Sequence, residues 1–241
     1  MGIDPTYGQV LRLPTARMQS CEVRSCAPRL GEVALQEAQA ARAGDPSVTA
    51  FVLSALPSTP RTVLWVQDRA SGQGAGRLYL PGSGKLMGFR TLLRVEVSHP
   101  RDVLWAMEEG AACAGLGAVV GEIHGNPAAL DFTATKRLAL RAEASGVPVW
   151  LIRSHDAQGL SAARQRWRIG ALPSLRHPHD AGAPGAPQWR ADLIRAQGRP
   201  PGTWVAQYEQ GAKEDRLHLV PASGDGTVED RGAARQDASS S

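Results

Sequence analysis

Cysteine is scarce in this chain, with Cys21, Cys26 and Cys113 the three among 241 residues. An odd count without a framework spacing excludes a disulfide-stapled secreted domain and fits a reducing compartment. CEVRSC holds two thiols, but no second Cys or His pair stands near it, so free thiols are expected there and no zinc site. The six histidines are scattered apart from RHPHD, a Pro/Gly-rich stretch expected to be a solvated loop. Long apolar runs are also missing: none approaches the ~18 consecutive residues of a membrane span. No apolar segment follows a basic start in the manner of a secretory signal. These absences predict a soluble, cytoplasmic protein without membrane contact.

A working phosphate loop is absent as well. Nucleotide-gripping chemistry needs G-x-x-x-x-G-K-[ST], in which backbone amides cradle phosphate, lysine neutralises charge and a hydroxyl holds magnesium. The one candidate, LPGSGKLM, has Tyr79 where the first glycine belongs and Leu86 where the hydroxyl belongs, leaving Lys85 without its partners. GQGAGR fails the dinucleotide fingerprint, because Arg77 takes the place of the third glycine. No Ser/His/Asp or Cys/His signature is visible. The expectation is therefore no catalytic residue, no metal site and no cofactor.

What is present is the grammar of an α/β domain. Residues 93–153 read strand, helix, strand, helix, strand. LGAVVGEI (116–123) and VPVWLIR (147–153) have the continuous apolar character of buried parallel strands, and LDFTATKRLALRAEASG between them has helical period and a glycine stop. RDVLWAMEEGAACAG places Val103, Leu104, Met107 and Ala111 on one stripe. Earlier in the chain, RLGEVAL (29–35) is expected as a first strand, Asp45-Pro46 as a helix start with Pro57 as its stop, and RTVLWVQD (61–68) as a core strand. RASGQGAG is expected as a loop, RLYLPGSGKLMGF as extended and then one helical turn, and TLLRVEVSHP as a strand ended by Pro100. Such alternation implies a mostly parallel sheet flanked by helices.

The expected organisation is a loosely ordered lead-in (1–28), whose opening MGIDPT reads as appended residues, then an α/β core (29–172) and a Pro/Gly loop (173–187). A small antiparallel, β-rich C-terminal extension (188–220) and a disordered tail (221–241) complete it. Glu122 is the acid of interest in the core. It ends an apolar strand at the edge where doubly wound sheets hold ligands, and is expected either to serve a degenerate nucleotide site with Lys85 or to face solvent.

Charge is informative by its placement. The formal balance is +4, yet between Trp150 and Pro200 stand eight arginines, no lysine or glutamate, and three aspartates. Such a patch attracts phosphodiester backbones or an acidic protein face. SAARQRWRI is its sharpest element: in an extended segment Arg164, Arg166 and Arg168 share one face at about 6.5–7 Å spacing, with Trp167 on the other as an anchor, whereas in a helical segment the arginines fan apart. With Arg153, Arg190 and Arg195 these form the candidate DNA- or partner-binding set. The bland reading of the same residues is a solvated face in an arginine-rich composition.

VLWAMEEG, LDFTATKRLALRAEASGVPVWLIR, SAARQRWRI and APGAPQWRADLIRAQGRPPGTW together resemble the ImuA family of bacterial translesion-synthesis accessory proteins, degenerate relatives of the RecA recombinases. The resemblance runs over roughly residues 60–220 and implies a RecA-like core in a DNA-damage-induced (SOS) mutagenesis cassette. Its partners would be ImuB, an error-prone polymerase alpha subunit and RecA, with DNA as a further ligand. In that frame LGAVVGEIHG resembles the recombinase strand that ends in a metal-binding aspartate, and Gly121 with Glu122 departs from it. The expected function is a non-catalytic adaptor. The rival readings are a divergent DNA-stimulated ATPase using Lys85 and Glu122, and a cell-division inhibitor similar to SulA.

Overall fold

The computed structural model describes residues 27–79, 86, 91–180, 182–209 and 216–222. Most of the lead-in, Cys21, Cys26, Lys85 and nearly all of LPGSGKLM, and the tail from residue 223 lie outside them. The described elements are β1 (Leu35–Ala40), α1 (Ser47–Ala55), β2 (Val63–Asp68), α2 (Arg69–Ala75), β3 (Leu92–Val97), α3 (Pro100–Ala111), β4 (Ala118–Ile123), α4 (Phe132–Ser145), β5 (Val149–Arg153), β6 (Gln165–Leu172), β7 (Gln188–Ala196), β8 (Gly202–Tyr208) and β9 (Leu217–Pro221).

All nine strands form one sheet in the order β3-β2-β4-β5-β1-β6-β7-β8-β9. The pairs from β3 to β6 are parallel and those from β6 to β9 antiparallel. The mostly parallel, helix-flanked sheet with a small antiparallel addition is the architecture expected from the sequence. The C-terminal strands do not stand apart from the core: β6 bonds β1 on one side and β7 on the other.

Two apolar layers sandwich the sheet. On one face α1 packs under Ala38, Trp65, Val120, Trp150, Ile152, Trp167 and Ile169, and this layer continues beneath Trp189, Leu193 and Ala206 of the antiparallel strands. Phe51 of α1 sits at its centre, with ring centroids 6.2 Å from Trp150, 6.1 Å from Trp167 and 6.3 Å from Trp189. The edge-on or tilted arrangement of these rings matches the electrostatics of aromatic quadrupoles. On the other face α3 and α4 bury Val103, Leu104, Met107, Ala111, Leu138 and Ala142 against Leu64, Val66, Val119, Val149 and Leu151. The stripe read from RDVLWAMEEG is the buried one. Gly121 allows this fit, since a Cβ there would overlap the sulfur of Met107.

Local chemistry sets the helix ends. Asp45 accepts a hydrogen bond from the Ser47 amide at 2.9 Å, and Pro46 begins the turn. Asp131 caps α4 by accepting from Ala134, and Gly146 closes it in the left-handed region at φ 75°. Two expectations are corrected. The first strand is LQEAQA, not RLGEVAL, because its polar side chains find buried partners: Gln36 donates to Leu30 O at 2.7 Å and Glu37 accepts from Ser161 Oγ. RASGQGAG is largely helix, since Asp68 accepts from the Ser71 amide at 3.0 Å and outweighs the poor propensity of its glycines.

Candidate functional site

The carboxyl edge of the parallel strands is where open α/β sheets hold ligands. Here it is bound up in the protein's own contacts. Glu122 is buried and lies 2.9 Å from His124 Nε2, so it neither faces solvent freely nor stands unpartnered. Asp68 holds both the amide and the hydroxyl of Ser71, whose oxygen in turn accepts from the His124 amide at 2.9 Å. Strand alternation puts Asp68 and Glu122 on opposite faces of the sheet, since Gln67 is the register partner of Glu122. The two carboxylates therefore do not converge. Among the described residues no group of three His, Cys, Asp or Glu side chains is placed to hold a metal ion. Lys85 lies outside those residues.

The arginines divide by environment. Arg153, at the end of β5, is 3% exposed and donates to Asn126 Oδ1 at 3.2 Å and Gln158 O at 3.4 Å. Burial holds its guanidinium below the usual arginine range, opposed by the nearby charge of Glu37. It pins the loop after β5. Arg166, on the same sheet face, brings Nε within 2.9 Å of the Glu37 carboxylate and donates through Nη1 to Gly159 O at 3.1 Å. Its Nε–H is not directed at that oxygen, so the attraction between them is Coulombic. Trp167 points the opposite way, fully buried, as the alternation requires.

Arg164, Arg168, Arg190 and Arg195 form the outer part. Arg164 pairs with Glu143 of α4 at 3.3 Å, and Arg190 pairs with Asp192 at 3.1 Å, where Thr203 also donates at 2.7 Å. Arg168 is exposed and opposite Asp192 in register, while Arg195 is exposed and opposite Arg166 across the β6–β7 irregularity. Arg195 and Arg164 also wall a groove of about 360 Å³ between α4 and the start of β6, with Lys136, Phe132 and Leu140 on the facing helix. Sequence reasoning found the arginine row and missed this groove, together with Glu37, which neutralises Arg166. The signal for the groove was the spacing of Phe132, Lys136 and Leu140 at i, i+4 and i+8; Glu37 had no signal, because a charged residue in a buried strand is recognisable only once its partners are in place.

Fold and site thus define a mixed α/β protein whose acids at the carboxyl edge of the parallel strands, Asp68 and Glu122, are held by its own Ser71 and His124, and whose arginine row lies along β6 and β7. It is similar to Protein ImuA of Caulobacter vibrioides, from strain NA1000 / CB15N and equally from strain ATCC 19089 / CIP 103742 / CB 15, with 32% identity over 160 residues. The matched region is 61% of this chain and 61% of each relative. The resemblance carried by the sequence blocks is thereby borne out. No family model matches the chain.

Proposed function

We propose that this chain is a non-catalytic adaptor in SOS-induced translesion synthesis, docking ImuB and an error-prone polymerase alpha subunit, with RecA and DNA as further ligands. The similarity to Protein ImuA carries this reading. The start of α1 supports its non-catalytic part. In nucleotide-binding α/β folds the turn between the first strand and first helix supplies free amides to phosphate. In this chain that turn is ARAGDP: Pro46 has no amide hydrogen, and the Asp45 carboxylate already takes the Ser47 amide. The protein's own carboxylate therefore takes one of the amides that a phosphate there would need.

Affinity capture of the full chain from DNA-damaged cells tests the adaptor role, with recovery of ImuB and a polymerase subunit expected. Calorimetric titration with ATP and magnesium tests the other half. Micromolar binding with turnover would replace the adaptor reading by that of an ATPase, and capture of the tubulin-like division protein without any polymerase would replace it by that of a division inhibitor.

A further inference from the structure

The two sheet faces are covered unequally. On the α3/α4 side the helices shield β2, β4, β5 and β1, and among the described residues no helix continues over β6 to β9. Helix α4 is consequently packed on one flank only. Arg137 on that flank meets Glu108 of α3 at 2.9 Å, while Phe132, Lys136, Ala139, Leu140 and Glu143 line the groove on the other. These five recur at i, i+4, i+7, i+8 and i+11, a stripe about 16 Å long. Phe132 is 47% exposed and Leu140 55%. Two large apolar groups along an otherwise polar helix flank, beside an uncovered sheet face, mark the position where a further helix of the layer would lie.

We propose that this groove seats an acidic amphipathic helix carried by a partner protein. The choice of occupant follows from charge. Lys136 and Arg195, which line the groove, have no carboxylate partner among the described residues, whereas the one acid lining it, Glu143, is already paired with Arg164. An occupant that lays apolar side chains on Phe132, Ala139 and Leu140 therefore brings its polar flank against unneutralised cations, and carboxylates on that flank complete them. Nucleic acid fits less well. A tight duplex contact engages about 6–10 phosphates, against two unpaired cations lining the groove, and Glu143 stands beside them. The helix ends that present the stripe are fixed by Asp131 and Gly146, so the surface is formed before the partner arrives.

The inference rests on the adaptor reading above and names the surface that reading requires. Its test places the photo-cross-linking residue p-benzoylphenylalanine at position 140 of the full chain, in DNA-damaged cells, with a second chain labelled at the exposed Trp105 as a control, and sequences the cross-linked peptide. A glutamate- and aspartate-rich segment of helical apolar period is expected from position 140 and not from 105. Its yield should fall at least tenfold in the Lys136→Glu/Arg195→Glu variant and be retained in Lys136→Arg/Arg195→Lys, with thermal melting unchanged in both. A cross-link to nucleic acid, to a basic segment or to a second copy of this chain would overturn the proposal, as would no cross-link at all. If partners still co-purify with Lys136→Glu/Arg195→Glu, the groove assignment falls and the adaptor role stands; if none co-purify with the unmodified chain, the adaptor role itself falls.

Discussion

The half of the sheet from β3 to β1 and the half from β6 to β9 share one apolar layer and differ in the other. Strands β2, β4 and β5 are buried at every position because apolar layers cover both faces, whereas β6 and β7 alternate between buried and accessible residues. Those three strands spend both faces on cohesion. Among the described residues the second half has no helix over one face, and there the arginines can stand without destabilising the fold. The placing of exposed arginines thus follows where helix cover stops among the described residues.

Substitutions can break or sharpen this contrast. Trp167→Ala removes an indole with no exposure that touches Phe51 and Trp204 and so joins the halves. It should cost about 3–5 kcal/mol and lower urea resistance in a single transition; separate melting of the C-terminal strands would show the halves to be independent. Glu37→Ala leaves Arg166 and Arg153 without their shared counter-charge and should cost about 2–3 kcal/mol, a buried-pair loss reduced for the partial exposure of Arg166. Arg166→Met in the same chain should restore most of it. Gly121→Val forces a side chain into Met107 and should cost about 1–3 kcal/mol by overpacking, measured as a lower midpoint in chemical denaturation. The smallest effect on stability belongs to Arg168→Ala with Arg190→Ala, expected within about 0.5 kcal/mol of the unmodified chain, while retention of the protein on a polyanionic matrix weakens.

The parallel half was legible in the sequence wherever burial on both faces forces continuous apolar runs, as in LGAVVGEI and VPVWLIR. Strand β1 was not, since Gln36, Glu37 and Gln39 are buried with partners as distant in sequence as Ser161 and Arg166, and no local pattern announces such pairing. Helix α2 was hidden by its glycines, because the Asp68 cap decides the issue. Of the two forms SAARQRWRI could take, the structure has the extended one, with Trp167 turned inward. What spacing could not separate was the fate of each cation: Arg153 is inside, Arg166 is neutralised and Arg168 is open. That division depends on which acid each strand neighbour supplies.

The tryptophans distribute an optical consequence over this architecture. Trp65, Trp150, Trp167 and Trp189 are interior, Trp204 is partly shielded, and Trp105 is 66% exposed on α3. Iodide in solution therefore reaches one indole well before the interior four, so quenching that stops after a small fraction of the emission reports an intact β6–β1 seam. Access to the remainder signals that the seam has opened.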